Sequence, residues 1–284
     1  MFKNNKRKIF ISLIVLVCIG VIGVFAGTKT IQTVANNSAN TRPTFYFHGF
    51  GGTANSTNSM ISYSEKNYQA HKVFTANVDP SGKVSLVGNW SGRVKRPIVQ
   101  VLFKNNHNGN YHQDAQWIKN VMQAVEAKHH FSTYNIVAHS MGNLGFMYYV
   151  LFEQSTFNSP KLINEVNIAG HFDGILGMDD KPNKNSLLPN GKPKILNKNY
   201  KEMLANRNNY PEDQVNILNI YGNLENGTNS DGDVSNVSSK SLWYLTRDRT
   251  KSYTEMMFTG PNAQHSHLHG NPAVAKAFDN FLYQ

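Results

Sequence analysis

Cysteine is almost absent from this 284-residue chain, which contains only Cys18. A single cysteine cannot form an intrachain disulfide and excludes a cysteine-rich zinc site. The 21 glycines and 10 prolines follow no repeat, which excludes a collagen-like or low-complexity architecture. Charged residues are scarce at 16% while hydrophobic residues reach 40%, which excludes a disordered chain. The length suits one large domain or two small ones with a full hydrophobic core.

Acidic residues are also in deficit, with 18 Asp and Glu against 28 Lys and Arg, a net charge of +10 at pH 7. Part of the surplus lies in Lys3, Lys6, Arg7 and Lys8, and the other basic residues are scattered along the chain. Nucleic-acid-binding domains gather their basic residues into a patch or stripe. We therefore expect no nucleic-acid partner and a mildly basic, solvated surface.

Residues 9–26 form an apolar run without a charged residue, directly after the basic N-terminus. The run is about as long as a membrane-crossing helix, and its positive flank should stay cytoplasmic, so the rest of the chain should be exported. Val24-Phe25-Ala26 loosely resembles a cleavage site. Residues 1–26 are therefore predicted to be a signal peptide or a retained transmembrane anchor. Residues 27–42 are predicted to be a polar tether before a domain at 43–284.

Apolar strand patterns alternate with helical patterns along this domain. Strands are predicted at residues 44–47, 72–78, 83–87, 97–103, 134–138, 165–169, 215–221 and 253–258, and helices at 114–128, 144–152, 200–206 and 273–282. Such alternation is typical of an α/β fold with a mostly parallel sheet covered on both faces. Residues 175–213 contain no strand signal and are predicted to form a cap-like insertion over a site, with a mobile surface loop as the alternative.

A candidate nucleophile, Ser140, stands between a β-rich strand and a helix in Ala138-His139-Ser140-Met141-Gly142. A serine at such a sharp turn is exposed above the sheet, and its flanking residues must be small because strand and helix approach each other there. Alanine replaces the first glycine of the usual G-x-S-x-G pattern. The alternative is that Ser140 only caps the helix.

Two backbone N–H groups must stabilise the oxyanion that a serine nucleophile generates. The first is expected from Met141, directly after Ser140. The second is expected from Phe50, in the loop His48-Gly49-Phe50-Gly51-Gly52, whose glycines let the backbone approach a substrate. An ordinary glycine-rich turn is the alternative for this loop.

The acid of a triad should follow a later strand, where Asp231 and Asp233 both stand in the segment 226–234. The Asp-Gly-x-Val pattern places Asp231 at the strand-end turn, so Asp231 is preferred over Asp233. Asn229, Asp231 and Asp233 also alternate as calcium ligands do, but Lys240 occupies the last position of a twelve-residue loop, where calcium loops have an acid.

The base should come last, from the segment 264–272, which contains His265, His267 and His269 before the final helix. A neutral imidazole beside a buried carboxylate can take the serine proton and return it to the leaving group. Alternate histidines could instead bind a metal. The run follows a strand, lies in a predicted loop and has no acidic or cysteine partner, so no metal and no organic cofactor are predicted.

The order of these segments resembles the α/β-hydrolases, and in particular a family of exported or cell-surface α/β-hydrolases of Gram-positive bacteria whose function is unknown. The segments FYFHGFGGTANS, NIVAHSMGN, DGDVSNVSS and HSHLHGNP carry the resemblance and span residues 45–272. It implies an α/β-hydrolase fold, and a catalytic histidine seven residues before the proline of the last helix. His265 has that spacing to Pro272, and His269 is the second choice.

The predicted function is an exported serine hydrolase that cleaves carboxylic esters, in the manner of esterases and lipases, through a Ser140-His265-Asp231 triad. Its expected partners are a small or lipid-like ester and, through residues 1–26, the membrane. A peptidase or thioesterase stays open, as does a surface-binding module that kept the fold without catalysis.

Overall fold

An eight-stranded sheet organises residues 41–284, the part of the chain that this computed structural model describes. In chain order the strands are β1 (Thr44–Phe47), β2 (His71–Val78), β3 (Val84–Gly88), β4 (Pro97–Phe103), β5 (Thr133–His139), β6 (Lys161–Ile168), β7 (Asn216–Asn223) and β8 (Ser252–Thr259). The α-helices are α1 (Asn55–Tyr68), α2 (Tyr111–Lys128), α3 (Met141–Tyr148), α4 (Lys198–Ala205), α5 (Asn236–Thr246), α6 (His265–Leu268) and α7 (Pro272–Tyr283).

The strands lie in the order β3-β2-β4-β1-β5-β6-β7-β8. Every neighbouring pair is parallel except β2 and β3, which form an antiparallel hairpin. The carboxyl ends of β1, β5 and β7 therefore meet at one edge of the sheet, where ligands bind in open α/β folds. The prediction of a mostly parallel α/β sheet is confirmed.

Two hydrophobic cores cover the two faces of the sheet, and β1 contributes to both. Phe45 and Phe47 point into the core beneath α2 and α3, whereas Tyr46 points into the core beneath α1 and α7. This division follows from the two-residue period of a strand, which sends successive side chains to opposite faces. Helices on both faces were predicted from the alternating pattern, and the structure agrees.

Several predicted boundaries are corrected. The helix predicted over 144–152 is α3, which begins at Met141 and continues after Tyr148 as one π-helical turn, Tyr149–Glu153. The strand predicted over 165–169 begins earlier, at Lys161. It also ends at Ile168, because Ala169 adopts a positive φ of 51° and leaves the strand.

Helices α1 and α5 were not predicted, and the histidine run predicted as a loop forms the short helix α6. Helix α1 is rich in serine and asparagine, so its apolar stripe is weak. It is held instead by Ser64, whose hydroxyl donates to the buried carboxylate of Asp279 on α7 at 2.8 Å. Tertiary contacts thus override a low intrinsic helix propensity.

The segment 175–213 contains helix α4 and short isolated bridges rather than strands. The carboxylate of Asp173 anchors it by accepting hydrogen bonds from the backbone N–H of Asn197, at 2.8 Å, and from the side chain of Asn185, at 3.2 Å. Ile175 and Met178 from this segment line the cavity described below. Its role as a cap stays a prediction.

The apolar run at 9–26 lies outside the described residues, as does most of the predicted tether. Between residues 41 and 284, no helix has the length and hydropathy needed to cross a membrane. The predicted boundaries at residues 26 and 42 stay predictions.

Candidate active site

Ser140 occupies a sharp turn between strand β5 and helix α3. Its backbone has φ 52° and ψ −122°, an unusual conformation for a residue with a side chain. The next turn of chain packs closely on β1, because a Cβ added to Gly142 would lie 2.7 Å from the carbonyl oxygen of His48. The small residue predicted at position 142 is therefore required. The backbone N–H of Ser140 donates to the carbonyl of Ile168 at 3.0 Å, which fixes the turn.

The structure brings Ser140, His265 and Asp231 into one hydrogen-bonded chain. Ser140 Oγ lies 2.8 Å from His265 Nε2, and His265 Nδ1 lies 2.8 Å from Asp231 Oδ2. A neutral imidazole with its proton on Nδ1 satisfies both contacts, because Nδ1 then donates to the carboxylate and Nε2 accepts from the serine hydroxyl. Asp231 is 1% exposed, so its carboxylate is withheld from water.

Asp231, and not Asp233, faces the histidine. The second carboxylate oxygen of Asp231 accepts the backbone N–H groups of Asp233, at 3.0 Å, and Val234, at 2.7 Å. Each oxygen of Asp231 therefore has a partner and a fixed direction. The side chain of Asp233 is exposed and forms no hydrogen bond with His265, so of the two acids left by the sequence the geometry favours Asp231.

The three histidines of the run have different surroundings, because they lie on a helical turn and not on an extended strand. His265 contacts Ser140, whereas His267 is exposed, with Nδ1 3.3 Å from the carbonyl of Pro261. The ring of His269 packs against that of His139 at 4.8 Å. Within residues 41–284, no group of three or more His, Cys, Asp or Glu side chains is placed to hold a metal ion.

Nearby charges and burial shift the pKa of His265 in opposite directions. Burial lowers its pKa, but the hydrogen bond to Asp231 and the negative charges of Asp231 and Asp233 raise it more, so the net pKa lies above 6.5. Burial and the nearby imidazoles hold the pKa of the neighbouring His139 well below 6.5, although its hydrogen bond to the carbonyl of His265 acts in the opposite direction. The site therefore contains one imidazole suited to take a proton and one that stays neutral.

The loop after β1 passes directly over the serine. A Cβ added to Gly49 would lie 2.8 Å from Ser140 Cβ, so only glycine fits. The imidazole of His48 holds this loop, because its Nδ1 donates to the carbonyl of Gly49 at 2.8 Å while its Nε2 accepts the N–H of Phe103 at 3.1 Å. In the part of the chain that the structure describes, the N–H groups of Phe50 and Met141 have no hydrogen-bond acceptor.

A cavity of about 990 Å³ opens above Ser140 and His265. The loop after β1 and the segment after β6 both line it, and one residue from each, Phe50 and Met178, is exposed by 61% and 80% respectively. The volume is at the upper end of the range for small-molecule sites. The cavity has room for both the acyl group and the alcohol group of an ester.

Sequence reasoning missed three polar residues of this site. His139 is held neutral, and its Nε2 donates to the carbonyl oxygen of His265 at 3.0 Å, so it helps to fix the backbone of His265. Tyr111, at the start of α2, and His171, in the loop after β6, line the cavity. His139 lies inside the serine motif, but nothing in the sequence marks Tyr111 or His171.

Comparisons with known proteins identify the family of this chain. Residues 31–284 match the model of a family described as an alpha/beta hydrolase of unknown function (DUF915). The chain belongs to this family. The prediction of an α/β-hydrolase fold is thereby confirmed, and so is the resemblance to the family of unknown function.

Two solved structures resemble the chain closely in fold. One is a gene product of Listeria innocua, with 25% identity, a TM-score of 0.78, and coverage of 86% of this chain and 95% of that one. The other is a candidate cell surface hydrolase from Lactobacillus plantarum WCFS1, with 22% identity, a TM-score of 0.69, and coverage of 85% and 90%. No curated protein matches the chain.

Proposed function

We propose that this α/β-hydrolase is a serine hydrolase that cleaves carboxylic esters through a covalent acyl-enzyme. The observation that carries the proposal is the continuous hydrogen-bonded chain from Ser140 through His265 to Asp231, with 2.8 Å at each step. A nucleophile in contact with a base, and a base in contact with a buried acid, is the arrangement that activates a serine.

The reaction begins when Ser140 Oγ attacks the ester carbonyl carbon and its proton passes to His265 Nε2. The oxyanion that forms is stabilised by the N–H groups of Phe50 and Met141. The imidazolium, stabilised by Asp231, then protonates the departing alcohol and leaves an acylated Ser140. In the second half of the reaction, water attacks the acyl carbon while His265 takes its proton. The imidazolium then returns a proton to Ser140 Oγ, and the carboxylic acid and the free serine are released. No metal or cofactor takes part in any step.

Hydrolysis and active-site labelling of the full-length protein in detergent test this proposal. We expect turnover of p-nitrophenyl esters and stoichiometric labelling by a fluorophosphonate probe, both in the presence of EDTA. A protein that is folded but inert to both reagents would instead be a surface-binding module that retained the hydrolase fold. Activity that is lost to EDTA and restored by zinc would indicate metal-dependent chemistry.

The proposed place of action is the outer face of the cell membrane. The support is the basic flank and apolar run of residues 1–26, together with the description of the Lactobacillus plantarum structure as a candidate cell surface protein. Protease added to intact cells should digest a full-length protein found in the membrane fraction. A soluble cytosolic pool would contradict export, and a mature form in the medium would contradict only the anchor.

The pH dependence of this reaction should follow the protonation of His265. A protonated imidazole cannot accept the Ser140 proton, so kcat/KM falls as pH decreases through the pKa of His265. Because this pKa is raised, we expect a single ionisation with a midpoint above 6.5. Asp233→Asn removes one of the charges that raise the pKa and should move the midpoint to lower pH. A profile for a neutral ester that is flat from pH 5 to 9 would contradict this assignment.

A further inference from the structure

The cavity around Ser140 is lined by acidic residues, although the protein as a whole is basic. Although the chain has a net charge of +10, neither lysine nor arginine is among the described residues that line this cavity. Its charged lining residues, apart from histidine, are Asp179 and Asp233. A ligand that enters the cavity therefore meets fixed negative charges and no fixed positive one.

The two carboxylates lie on different segments, and only that of Asp179 is held by hydrogen bonds. Asp179, in the segment after β6, accepts the N–H of Ile175 at 2.8 Å and the side-chain amide of Asn197 at 2.9 Å. Asp233 belongs to the turn that supplies Asp231, and its negative charge helps to raise the pKa of His265. The carboxylate of Asp233 accepts no hydrogen bond from the described residues, so it is available to a ligand.

His139, His171 and His269 do not supply the missing positive charge, and His265, which also lines the cavity, is neutral in the form that accepts the Ser140 proton. Burial is the main cause that lowers the pKa of His139, His171 and His269, and that of His171 falls to about 4. His171 is 3% exposed and faces the cavity, and its ring forms no hydrogen bond with another described residue. Its imidazole is thus a neutral polar group turned toward a ligand.

A lysine, Lys198, lines a neighbouring cavity of about 550 Å³. Glu202 lines the same cavity, and the charge of Lys198 contributes to lowering the pKa of Glu202. That cavity therefore contains a carboxylate as well as the lysine. Tyr111 and Asn199 border both cavities and lie between Lys198 and the triad.

We propose that this site selects its ester substrates by charge, and that its substrate class is esters that carry an ammonium group, such as aminoacyl esters. An ammonium group close to Asp179 and Asp233 gains Coulomb attraction, while a carboxylate or phosphate there is repelled with no lysine or arginine to compensate it. The kcat/KM for a neutral ester should therefore lie between the values for a cationic and an anionic ester. The inference rests on the proposed function and specifies the substrate of that same site.

Three p-nitrophenyl esters of matched size test the proposal. They carry 4-(trimethylammonio)butanoyl, 5,5-dimethylhexanoyl and adipoyl groups, which are cationic, neutral and anionic, and the first two differ only by nitrogen in place of carbon. We expect kcat/KM to fall about tenfold from the cationic to the neutral ester, and further for the anionic ester. Because exposed charges are screened, 0.5 M salt should reduce both differences.

Variants locate the source of the preference. In Asp179→Asn and Asp233→Asn the ratio of kcat/KM for the cationic and neutral esters should fall, and in the double variant it should approach 1. The ratio is taken within each variant, so a general loss of activity cancels. Glu225→Gln is the matched control, because Glu225 is exposed and lies outside the cavity. It removes the same unit of charge and should leave the ratio unchanged.

The outcomes separate this inference from the function on which it rests. Turnover of the neutral ester with labelling of Ser140, but equal rates for the cationic ester, would overturn charge selection alone. An anionic ester cleaved as fast as the neutral one would do the same. A ratio that falls equally in Glu225→Gln would assign the effect to the net charge of the protein. No turnover of any ester, with no labelling, would overturn both.

Discussion

Ser140→Ala should abolish ester hydrolysis while the protein stays folded. The loss in kcat is expected to be on the order of 10⁴-fold or more, because without the hydroxyl no acyl-enzyme can form and His265 has no proton to accept. The fold should survive because the backbone N–H of residue 140 still donates to the carbonyl of Ile168. The measurements are kcat for a p-nitrophenyl ester, fluorophosphonate labelling, and the circular dichroism spectrum.

Ser266→Ala provides the matched control for this variant. Ser266 borders the same cavity, directly after His265, but its hydroxyl forms no hydrogen bond with an imidazole or any other group of the described residues. We expect it to retain both hydrolysis and labelling. Full activity in Ser140→Ala, or a probe adduct found on Ser266 in the unmodified protein, would show that the nucleophile is misassigned.

The serine turn was predictable because local sequence determines it. A β-branched strand, a serine between small residues and an apolar helix occur within about fifteen residues, and β5, Ser140 and α3 form as that pattern indicates. The interior strand β4 was predicted with its observed bounds, since Pro97–Phe103 is an apolar run that only Gln100 interrupts, on a strand with neighbours on both sides. Strong local patterns of this kind need no tertiary information.

Contacts between distant segments were not predictable in the same way. Helix α1 depends on the pairing of Ser64 with Asp279, which are more than two hundred residues apart in sequence. Tyr111 and His171 face the cavity only because of how α2 and β6 pack. Asp231 and Asp233 differ in the sequence only by position. The turn decides between them, because backbone N–H groups fix the carboxylate of Asp231 toward His265.

Replacement of the base should be nearly as severe as replacement of the nucleophile. In His265→Ala we expect kcat to fall by on the order of 10³-fold or more, with KM little changed, because the imidazole acts on the proton and not on substrate binding. Ser140 Oγ would lose its contact at 2.8 Å, and the buried carboxylate of Asp231 would lose its imidazole partner. The remaining N–H donors to Asp231 should limit the structural damage.

His269→Ala distinguishes the role of the base from a general effect of removing a histidine here. His269 lies four residues after His265 and packs on His139, but it has no hydrogen bond to Ser140 or Asp231. Its removal should change kcat only mildly, and the pH midpoint should stay above 6.5 because His265 still titrates. If His269→Ala were the severe variant and His265→Ala the mild one, the serine mechanism would stand with His269 as its base.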